Sequence, residues 1–531
     1  MKKSLFALLI GISVSVSAQT ELVFVYFTGK PNAAAFYANP LTELSQKSIN
    51  RRTTLGIPLN IQDAPIETTY IQAIQNLGIT VNDKSKWLNG VVINANQAQV
   101  NQIKALAFVQ AVESFAKNSS LTVKVQHQNK FQETELTNTI FNYGTGLEQI
   151  DQINLKPLHL AGYTGTGINI AVIDAGFPNV NTGSTFARLW TNSQIKGGYD
   201  FVTKTSNIYD ATLNAHGTAV LGSIGGYVQD QFVGSAPDAN FYLYRSENAA
   251  VEIPEEEIYW IEAAEEADRQ GVEIITSSLG YNIFDDPKYS YTYNDMNGSK
   301  SFIARGAEIA VNKGIFVLIA AGNSGQQPWQ YITTPADNSK VFTIGSVDSA
   351  GVSSPFSSYG PNSLGIIKPD AAARGTATVT VNESSVITAT GTSIATPVAA
   401  GGVACFIQAF PSMNRDNMRS SLRATASLAP TYTNQMGYGI LNFGSLFNAT
   451  LSTSDLVKKN QFAIFPNPVK DILNIASEKE VISVQVFDNL GRSILTEKNK
   501  KSIKVSDFQN GTYYLKIQTK EGTFYEKFLK N

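Results

Sequence analysis

Residues 168–176 have the sequence INIAVIDAG, an apolar run that ends in a carboxylate and two small residues. A short run rich in isoleucine and valine is typical of a strand that is buried on both faces. Open parallel sheets gather their functional groups at the carboxyl ends of such strands, which is where Asp174 stands. A lone aspartate there is also a common turn residue or helix cap, so Asp174 alone does not identify a function.

Similar apolar runs recur along the chain on both sides of helical patterns. Residues 255–270 and 301–313 have the helical periodicity, and each lies between two predicted strands. This alternation predicts an α/β fold with an open, mostly parallel sheet flanked by helices over residues 143–450. The other predicted strands are Phe241–Tyr244, Ile274–Ser277, Phe316–Ala320 and Val341–Ile344.

Three different segments flank this region. Residues 1–18 carry two lysines, a short apolar run and a Val-Ser-Ala end, which is typical of a secretory signal peptide and too short for a membrane anchor. Residues 19–118 alternate strands and helices in a pattern that predicts an α+β module of ferredoxin-like type. A polar linker follows at 119–142, and the alternating strands and turn signals of residues 460–531 predict a small β-sandwich.

Bulk composition excludes some classes of protein. With 43% hydrophobic and 16% charged residues the chain is globular, and a net charge of −2 gives no basis for binding nucleic acid. Its single cysteine, Cys405, cannot form an internal disulfide. Because Cys405 lies in a small, apolar helical stretch with no basic residue beside it in the sequence, we interpret it as a buried structural residue.

Two polar residues lie in contexts that suit acyl-transfer chemistry. His216, within the sequence NAHGTAV, immediately precedes an apolar helical pattern, whereas the other two histidines lie in the linker and ahead of the first sheet strand. Residues 390–397, TGTSIATP, place Ser393 where a loop turns into a helix that is apolar enough to be buried, and whose N-terminus favours negative charge. A serine in that position is also a common N-cap, so whether Ser393 is a nucleophile depends on the residues that act with it.

Two further segments follow predicted strands. Residues 320–325, AAGNSG, offer the carboxamide of Asn323, and residues 278–280, SLG, offer an extended edge on which Gly280 would let a peptide backbone approach. Each segment alone is also a plain turn. Nucleophilic acyl transfer needs a hydroxyl, a base, a group that orients the base and donors for the oxyanion, and the chain supplies one candidate for each.

Taken together, these motifs and their order along the chain resemble the subtilases, serine proteases of the subtilisin fold. The resemblance implies a catalytic triad of Asp174, His216 and Ser393, with Asn323 in the oxyanion hole. It also implies that substrate pairs with Ser278, Leu279 and Gly280 and that Ala321 and Gly322 border the pocket for the residue before the cut.

The resemblance extends to the flanking segments. Residues 19–118 are similar to a subtilase propeptide that assists folding and inhibits the enzyme until it is removed. Residues 460–531 are similar to the C-terminal sorting domain of the type IX secretion route, which implies contact with outer-membrane secretion machinery and a product secreted from, or held on, a Gram-negative cell. Protein or peptide substrates are implied, with no organic cofactor. The alternative is an inactive subtilase-like surface adhesin or binding protein, since fold does not fix function.

Two acidic stretches allow more than one interpretation. Residues 281–299 contain aspartates and asparagines among aromatics, and subtilases often hold calcium in loops, but these residues also form plain turns. The run from Glu252 to Asp268 could attract basic peptides, although its pattern favours the solvated face of a helix.

Overall fold

A computed structural model describes residues 20–117, 134–135, 143–459, 463–477, 479–488, 492–520 and 522–531. The chain divides into two units, residues 1–444 and 445–531. The predicted signal peptide lies outside the described residues, as does nearly all of the predicted linker.

The N-terminal module has the predicted ferredoxin-like arrangement, a β-α-β-β-α-β series in which three helices follow the first strand. Its antiparallel sheet has the order β2-β3-β1-β4. Alternate residues of β1 face opposite sides, so Val23 and Val25 pack within the module, whereas Leu22 and Phe24 join the core of the following region. The strands are β1 (Glu21–Phe27), β2 (Val81–Ser85), β3 (Gly90–Ala95) and β4 (Val109–Ser114); the helices are α1 (Ala33–Ala38), α2 (Gln46–Leu55), α3 (Thr68–Gln75) and α4 (Gln97–Lys104).

The central region is an α/β fold whose strands and helices alternate over most of its length. Its strands are β5 (Thr134–Glu135), β6 (Asn169–Asp174), β7 (Ile195–Asp200), β8 (Tyr227–Val228), β9 (Phe232–Val233), β10 (Asn240–Arg245), β11 (Ile274–Ser277), β12 (Phe316–Ala320), β13 (Phe342–Val347), β14 (Ala371–Arg374), β15 (Thr378–Val381) and β16 (Val386–Ala389). Its helices are α5 (Leu147–Gln152), α6 (Lys156–Leu160), α7 (Ala187–Thr191), α8 (His216–Gly225), α9 (Glu255–Gln270), α10 (Phe302–Asn312), α11 (Thr392–Ala409), α12 (Arg415–Thr425) and α13 (Phe443–Lys459), the last of which crosses the boundary between the units.

Seven strands form the main sheet in the order β14-β13-β12-β11-β6-β10-β7, and every neighbouring pair is parallel. The predicted parallel α/β sheet is confirmed, with β6 near its centre. Parallel strands bring their carboxyl ends to one edge, so the residues that follow β6, β11 and β12 are neighbours. Two residues of the predicted linker, Thr134 and Glu135, are described, and they pair with β16 in a separate small sheet.

Helix α11 is buried among the other elements of the region. Among the described residues it alone has the length and apolar composition of a membrane span, and 89% of it is buried inside the protein. Cys405 is buried within it, as predicted, and this burial raises the pKa of its thiol. A basic residue that is distant in the sequence lies beside it, since His159 Nε2 is 3.5 Å from Cys405 Sγ.

The C-terminal unit contains two antiparallel sheets, of orders β17-β18-β21 and β20-β19-β22-β23. Leu473 and Ile475 from the first sheet and Val484, Leu515 and Ile517 from the second share one buried core, as the β-sandwich prediction requires. The strands are β17 (Ala463–Phe465), β18 (Ile472–Ala476), β19 (Val481–Phe487), β20 (Ser493–Lys498), β21 (Ser502–Lys504), β22 (Gly511–Thr519) and β23 (Gly522–Lys530).

Candidate active site

Asp174 and His216 form a direct hydrogen bond at the carboxyl edge of the main sheet. Asp174 is the last residue of β6 and is fully buried, and its Oδ1 lies 2.7 Å from His216 Nδ1. The same oxygen accepts the Ala175 N–H at 2.8 Å, which fixes the carboxylate. Because a carboxylate accepts, the Nδ1 atom carries the proton, and Nε2 is the ring nitrogen that can take a further proton.

Helix α8 starts at His216 and lies against the end of β6. Asn214 Oδ1 accepts the His216 N–H at 2.9 Å, so the asparagine satisfies the first unpaired N–H of the helix. A Cβ at Gly217 would clash with the carbonyl oxygen of Gly176 and lie only 3.0 Å from Asp174 Cβ. Glycine at 217 therefore lets the helix approach the strand closely enough for the imidazole to reach the carboxylate.

Ser393 is the second residue of α11, in the turn whose backbone N–H groups favour negative charge. Its side chain is buried, and among the described residues its hydroxyl has no hydrogen-bond partner. Ser278, which follows β11, donates a hydrogen bond of 2.8 Å from its hydroxyl to the Ser393 carbonyl. The serine is thus held by its backbone while its hydroxyl stays available for chemistry.

Asn323 follows β12 and is oriented by Thr392, a residue that the sequence analysis did not single out. Asn323 Oδ1 accepts both the Thr392 N–H and the Thr392 hydroxyl, each at 2.9 Å, so the Nδ2 donor points elsewhere. A Cβ at Gly391 would lie 2.8 Å from Ser393 Oγ and 3.4 Å from Asn323 Nδ2. The amide donor and the serine hydroxyl therefore both lie close to the position that this Cβ would occupy. Thr392 adjoins Ser393 within the quoted motif, which is the signal that could have found it.

The five predicted substrate-contact residues lie beyond neighbouring strands. Ser278, Leu279 and Gly280 follow β11, whereas Ala321 and Gly322 follow β12, to which β11 is paired in parallel. Leu279 and Ala321 are buried and so line the interior of this edge.

Thr333 lies between the two glycines of this edge. A Cβ at Gly280 would clash with Thr333 Oγ1, and one at Gly322 would lie 3.4 Å from the same oxygen. The threonine lies in a loop without a recognisable motif, so no pattern along the chain points to it.

Two of the three aspartates of residues 281–299 accept local backbone hydrogen bonds, and Asp285 accepts the N–H of Glu252. Asp286 accepts the Lys288 N–H at 3.2 Å, and Asp295 accepts the Thr292 N–H at 2.8 Å. Calcium binding in this stretch stays an untested alternative to a plain loop. Tyr291 is buried, and its hydroxyl donates to a glutamate of α9 at 2.6 Å, which anchors the stretch to that helix.

A parallel α/β sheet that carries a buried Asp–His pair and a serine at a helix N-terminus defines a class, the serine hydrolases of subtilisin-like fold. The family model described as "Subtilase family" matches residues 165–439, more than half of the chain. The chain therefore belongs to the subtilase family.

Two further family models match the flanking segments. A Peptidase S8 propeptide domain of Bacteroidota matches residues 22–133, and a secretion system C-terminal sorting domain matches residues 463–531. Both predicted resemblances are confirmed. The protein is a secreted or cell-surface protein of a Gram-negative bacterium, with a propeptide and a type IX sorting domain.

Curated relatives include serine protease AprX of Bacillus subtilis, which is 29% identical over 291 residues, covering 49% of this chain and 61% of that protein. Subtilisin Savinase of Lederbergia lenta is 29% identical over 301 residues, 55% of this chain and 95% of that one. Among solved structures, the epidermin leader peptide processing serine protease of Staphylococcus aureus matches with a TM-score of 0.53 at 16% identity, over 81% of this chain and 99% of that one. This last likeness supports the fold.

Proposed function

We propose that this protein is a secreted serine endopeptidase that hydrolyses peptide bonds of proteins through Asp174, His216 and Ser393. The observation that carries the proposal is the 2.7 Å bond between Asp174 Oδ1 and His216 Nδ1, which orients Nε2 as a base. Similarity to serine protease AprX and to Subtilisin Savinase supports the same activity. No organic cofactor is needed, since each group that the reaction requires is a side chain or a backbone N–H of this chain.

In the first half of the reaction, Ser393 Oγ attacks the substrate carbonyl carbon while His216 Nε2 takes the hydroxyl proton. Buried Asp174 stabilises the imidazolium that forms. The carbonyl oxygen becomes an oxyanion, which the Asn323 amide and the Ser393 N–H stabilise by hydrogen bonds. The carbon–nitrogen bond then breaks, and the leaving amine takes the proton from His216, which leaves an ester on Ser393.

In the second half, water replaces the departed amine. The water oxygen attacks the ester carbon while His216 takes a proton from the water. His216 then gives that proton to Ser393 Oγ when the carboxylic acid leaves. Ser278 to Gly280 pair with the substrate backbone during both halves, and Ala321 and Gly322 border the pocket for the residue before the cut. The N-terminal module is an intramolecular inhibitor, and the C-terminal unit engages the secretion machinery.

Replacing Asn323 by aspartate is expected to lower kcat by about 10²- to 10³-fold with little change in KM. Aspartate keeps the oxygen that accepts the two Thr392 bonds but loses the N–H donor, so the loss falls on the transition state. The measurement is steady-state hydrolysis of a peptide anilide. Gln327→Ala, an exposed position in the same loop, is the control and should match the wild type. An unchanged kcat in the aspartate variant would remove Asn323 from the oxyanion hole.

Self-processing tests the proposal as a whole. The chain from residue 19 to residue 531 is produced as wild type and as Ser393→Ala, and both are followed by mass and by casein hydrolysis. We expect only the wild type to lose its N-terminal hundred or so residues and to digest casein. If both chains are folded and behave alike, the protein is better regarded as a binding protein.

A further inference from the structure

Three tyrosine rings lie in contact at the same edge of the main sheet as the candidate active site. The ring centroids of Tyr293 and Tyr331 are 4.1 Å apart, and the Tyr359 ring meets the Tyr331 ring edge-on at 5.9 Å. Each tyrosine is partly exposed. Tyr293 lies in the stretch that follows β11, whereas Tyr331 and Tyr359 lie in the loops that follow β12 and β13. Parallel pairing of these neighbouring strands therefore brings the three rings together.

Hydrogen bonds between the loops hold the rings in place. The Tyr293 hydroxyl donates to the Pro361 carbonyl, and the Tyr359 hydroxyl donates to Gln330 Oε1, each at 2.9 Å. The Tyr359 carbonyl also accepts the Ile332 N–H at 3.1 Å. Because the rings are already fixed, a molecule that contacts them does not have to order them, which lowers the entropic cost of binding.

An exposed apolar side chain extends this surface. Leu364 is 68% exposed and lies in the same loop as Tyr359. The preceding residue, Ser363, donates its N–H to the Met296 carbonyl at 2.8 Å, which joins this loop to the stretch that carries Tyr293. We call the three tyrosines together with Leu364 the aromatic patch.

The loops that carry most of the aromatic patch contain no charged residue. Residues 321–336, after β12, and residues 349–367, after β13, are uncharged, although charged residues make up 16% of the chain. Depletion of charge together with enrichment in tyrosine distinguishes the centre of a protein interface from the rest of a surface. Tyrosine also supplies a large contact area at a low cost in side-chain entropy. The composition therefore indicates a surface that binds uncharged, apolar polypeptide.

The aromatic patch adjoins the proposed pocket for the residue before the cut. Ser358, which precedes Tyr359, donates its N–H to the Gly322 carbonyl at 2.9 Å, so the Cα atoms of Tyr359 and Gly322 lie within about 11 Å of each other. Tyr331 lies two residues before Thr333, whose Oγ1 would be 3.4 Å from a Cβ at Gly322. About four residues of extended chain are enough to connect the pocket with the patch.

We propose that the aromatic patch is a docking surface for an extended, apolar segment of the protein substrate, outside the residues that flank the cut. The occupant is the substrate because the patch is continuous with the pocket that receives it. The inference rests on the proposed function in that polypeptide is the substrate. Binding a second segment of the same chain raises the affinity for unfolded proteins over short peptides and leaves the chemical step unchanged.

A binding measurement tests the docking surface without relying on catalysis. The full chain with Ser393→Ala is titrated into fluorescein-labelled casein, an unfolded protein, and fluorescence anisotropy gives the dissociation constant. We expect Tyr331→Ala, which removes the central ring, to weaken binding about tenfold, and Leu364→Ser to weaken it about threefold. Because Leu364 is exposed, its replacement keeps the fold even if the loss of a ring disturbs a loop. No chain in this series can form the acyl-enzyme, so failure of the catalytic proposal does not affect the result.

Leu160→Ser is the matched control, since it removes an exposed leucine far from the patch. Leu160 is 88% exposed and follows His159, which lies 3.5 Å from Cys405. Cys405 is twelve residues beyond Ser393 on α11, about 18 Å along the helix axis. The control should bind casein as the parent chain does. Equal dissociation constants for the folded Tyr331→Ala, Leu364→Ser and control chains, or no saturable binding by the parent chain, would overturn the proposal.

Kinetics of the self-processed enzyme give the second readout. Tyr331→Ala should raise KM for casein about tenfold and leave kcat unchanged, which is the pattern of an interaction made equally in the ground state and the transition state. A dipeptide anilide is too short to reach the patch, so both constants for it should stay within about twofold of the wild type. An equal loss on casein and on the dipeptide would place Tyr331 in the pocket and overturn its assignment to a docking surface.

Discussion

Replacing Ser393 by alanine is expected to lower kcat for peptide hydrolysis by about 10⁶-fold, the scale set by the same substitution in subtilisin. The expectation follows from geometry, because the Ser393 hydroxyl is buried near the Asn323 amide and has no hydrogen-bond partner among the described residues. Without the oxygen there is no acyl-enzyme, and only the oxyanion donors and substrate binding remain to accelerate attack by water.

A fair comparison requires that both forms have lost the N-terminal module. An added site-specific protease should therefore cut both chains within residues 119–133, and the module should be removed before kinetics are measured. Ser384→Ala, at an exposed loop position, is the matched control and should retain wild-type activity. A folded Ser393→Ala enzyme that retains more than about one hundredth of wild-type kcat would show that another group is the nucleophile.

Replacing Asp174 by asparagine is expected to lower kcat by about 10⁴-fold while leaving the fold intact. Asparagine has the same shape, but its amide cannot stabilise the imidazolium. Asparagine also allows the imidazole to carry its proton on Nε2, and a protonated Nε2 cannot act as the base. Asp174 is fully buried and bonded to His216 Nδ1 at 2.7 Å, so water cannot replace the lost carboxylate.

Asp210→Asn is the matched control for that variant. Its carboxylate bonds within its own turn, to Thr212 and Asn207, and it should not affect catalysis. Equal activity of Asp174→Asn and the control on a peptide anilide would show that His216 does not depend on Asp174.

Of the seven strands of the main sheet, five could be predicted to within three residues at each end, and two could not. Residues 274–277 and 316–320 were predicted with the bounds that the structure has. Strand β7 has the sequence IKGGYD and β14 has AAAR, and neither shows the β-branched run of a buried strand. Their positions depend on parallel pairing with β10 and β13, a tertiary effect that local propensity does not contain.

The candidate active site likewise contains residues that could be predicted from the sequence and contacts that could not. Asp174, His216, Ser393 and Asn323 lie in motifs whose order along the chain indicates the chemistry. The Thr392 bonds that orient Asn323, and the proximity of Thr333 to two glycines, depend on loops whose conformation the sequence does not specify.

The acidic face of α9 formed by Glu262, Glu265 and Asp268 was misinterpreted as solvated for a related reason, since Glu265 and Asp268 contact the N-terminal module. Helical periodicity shows which residues share a face, but not which face a separate module covers. The periodicity of residues 262–268 is the same whether water or a pair of arginines lies opposite. The arginines, Arg51 and Arg52, lie more than two hundred residues earlier in the chain, and only the fold brings them to Asp268.

The most direct test of the catalytic account is to label the folded wild-type protein with a fluorophosphonate and locate the adduct by peptide mass mapping. We expect one stoichiometric adduct on Ser393, abolished in His216→Ala and slowed in Asp174→Asn. A folded and processed protein that stays unlabelled, or that carries its adduct on another residue, would contradict it.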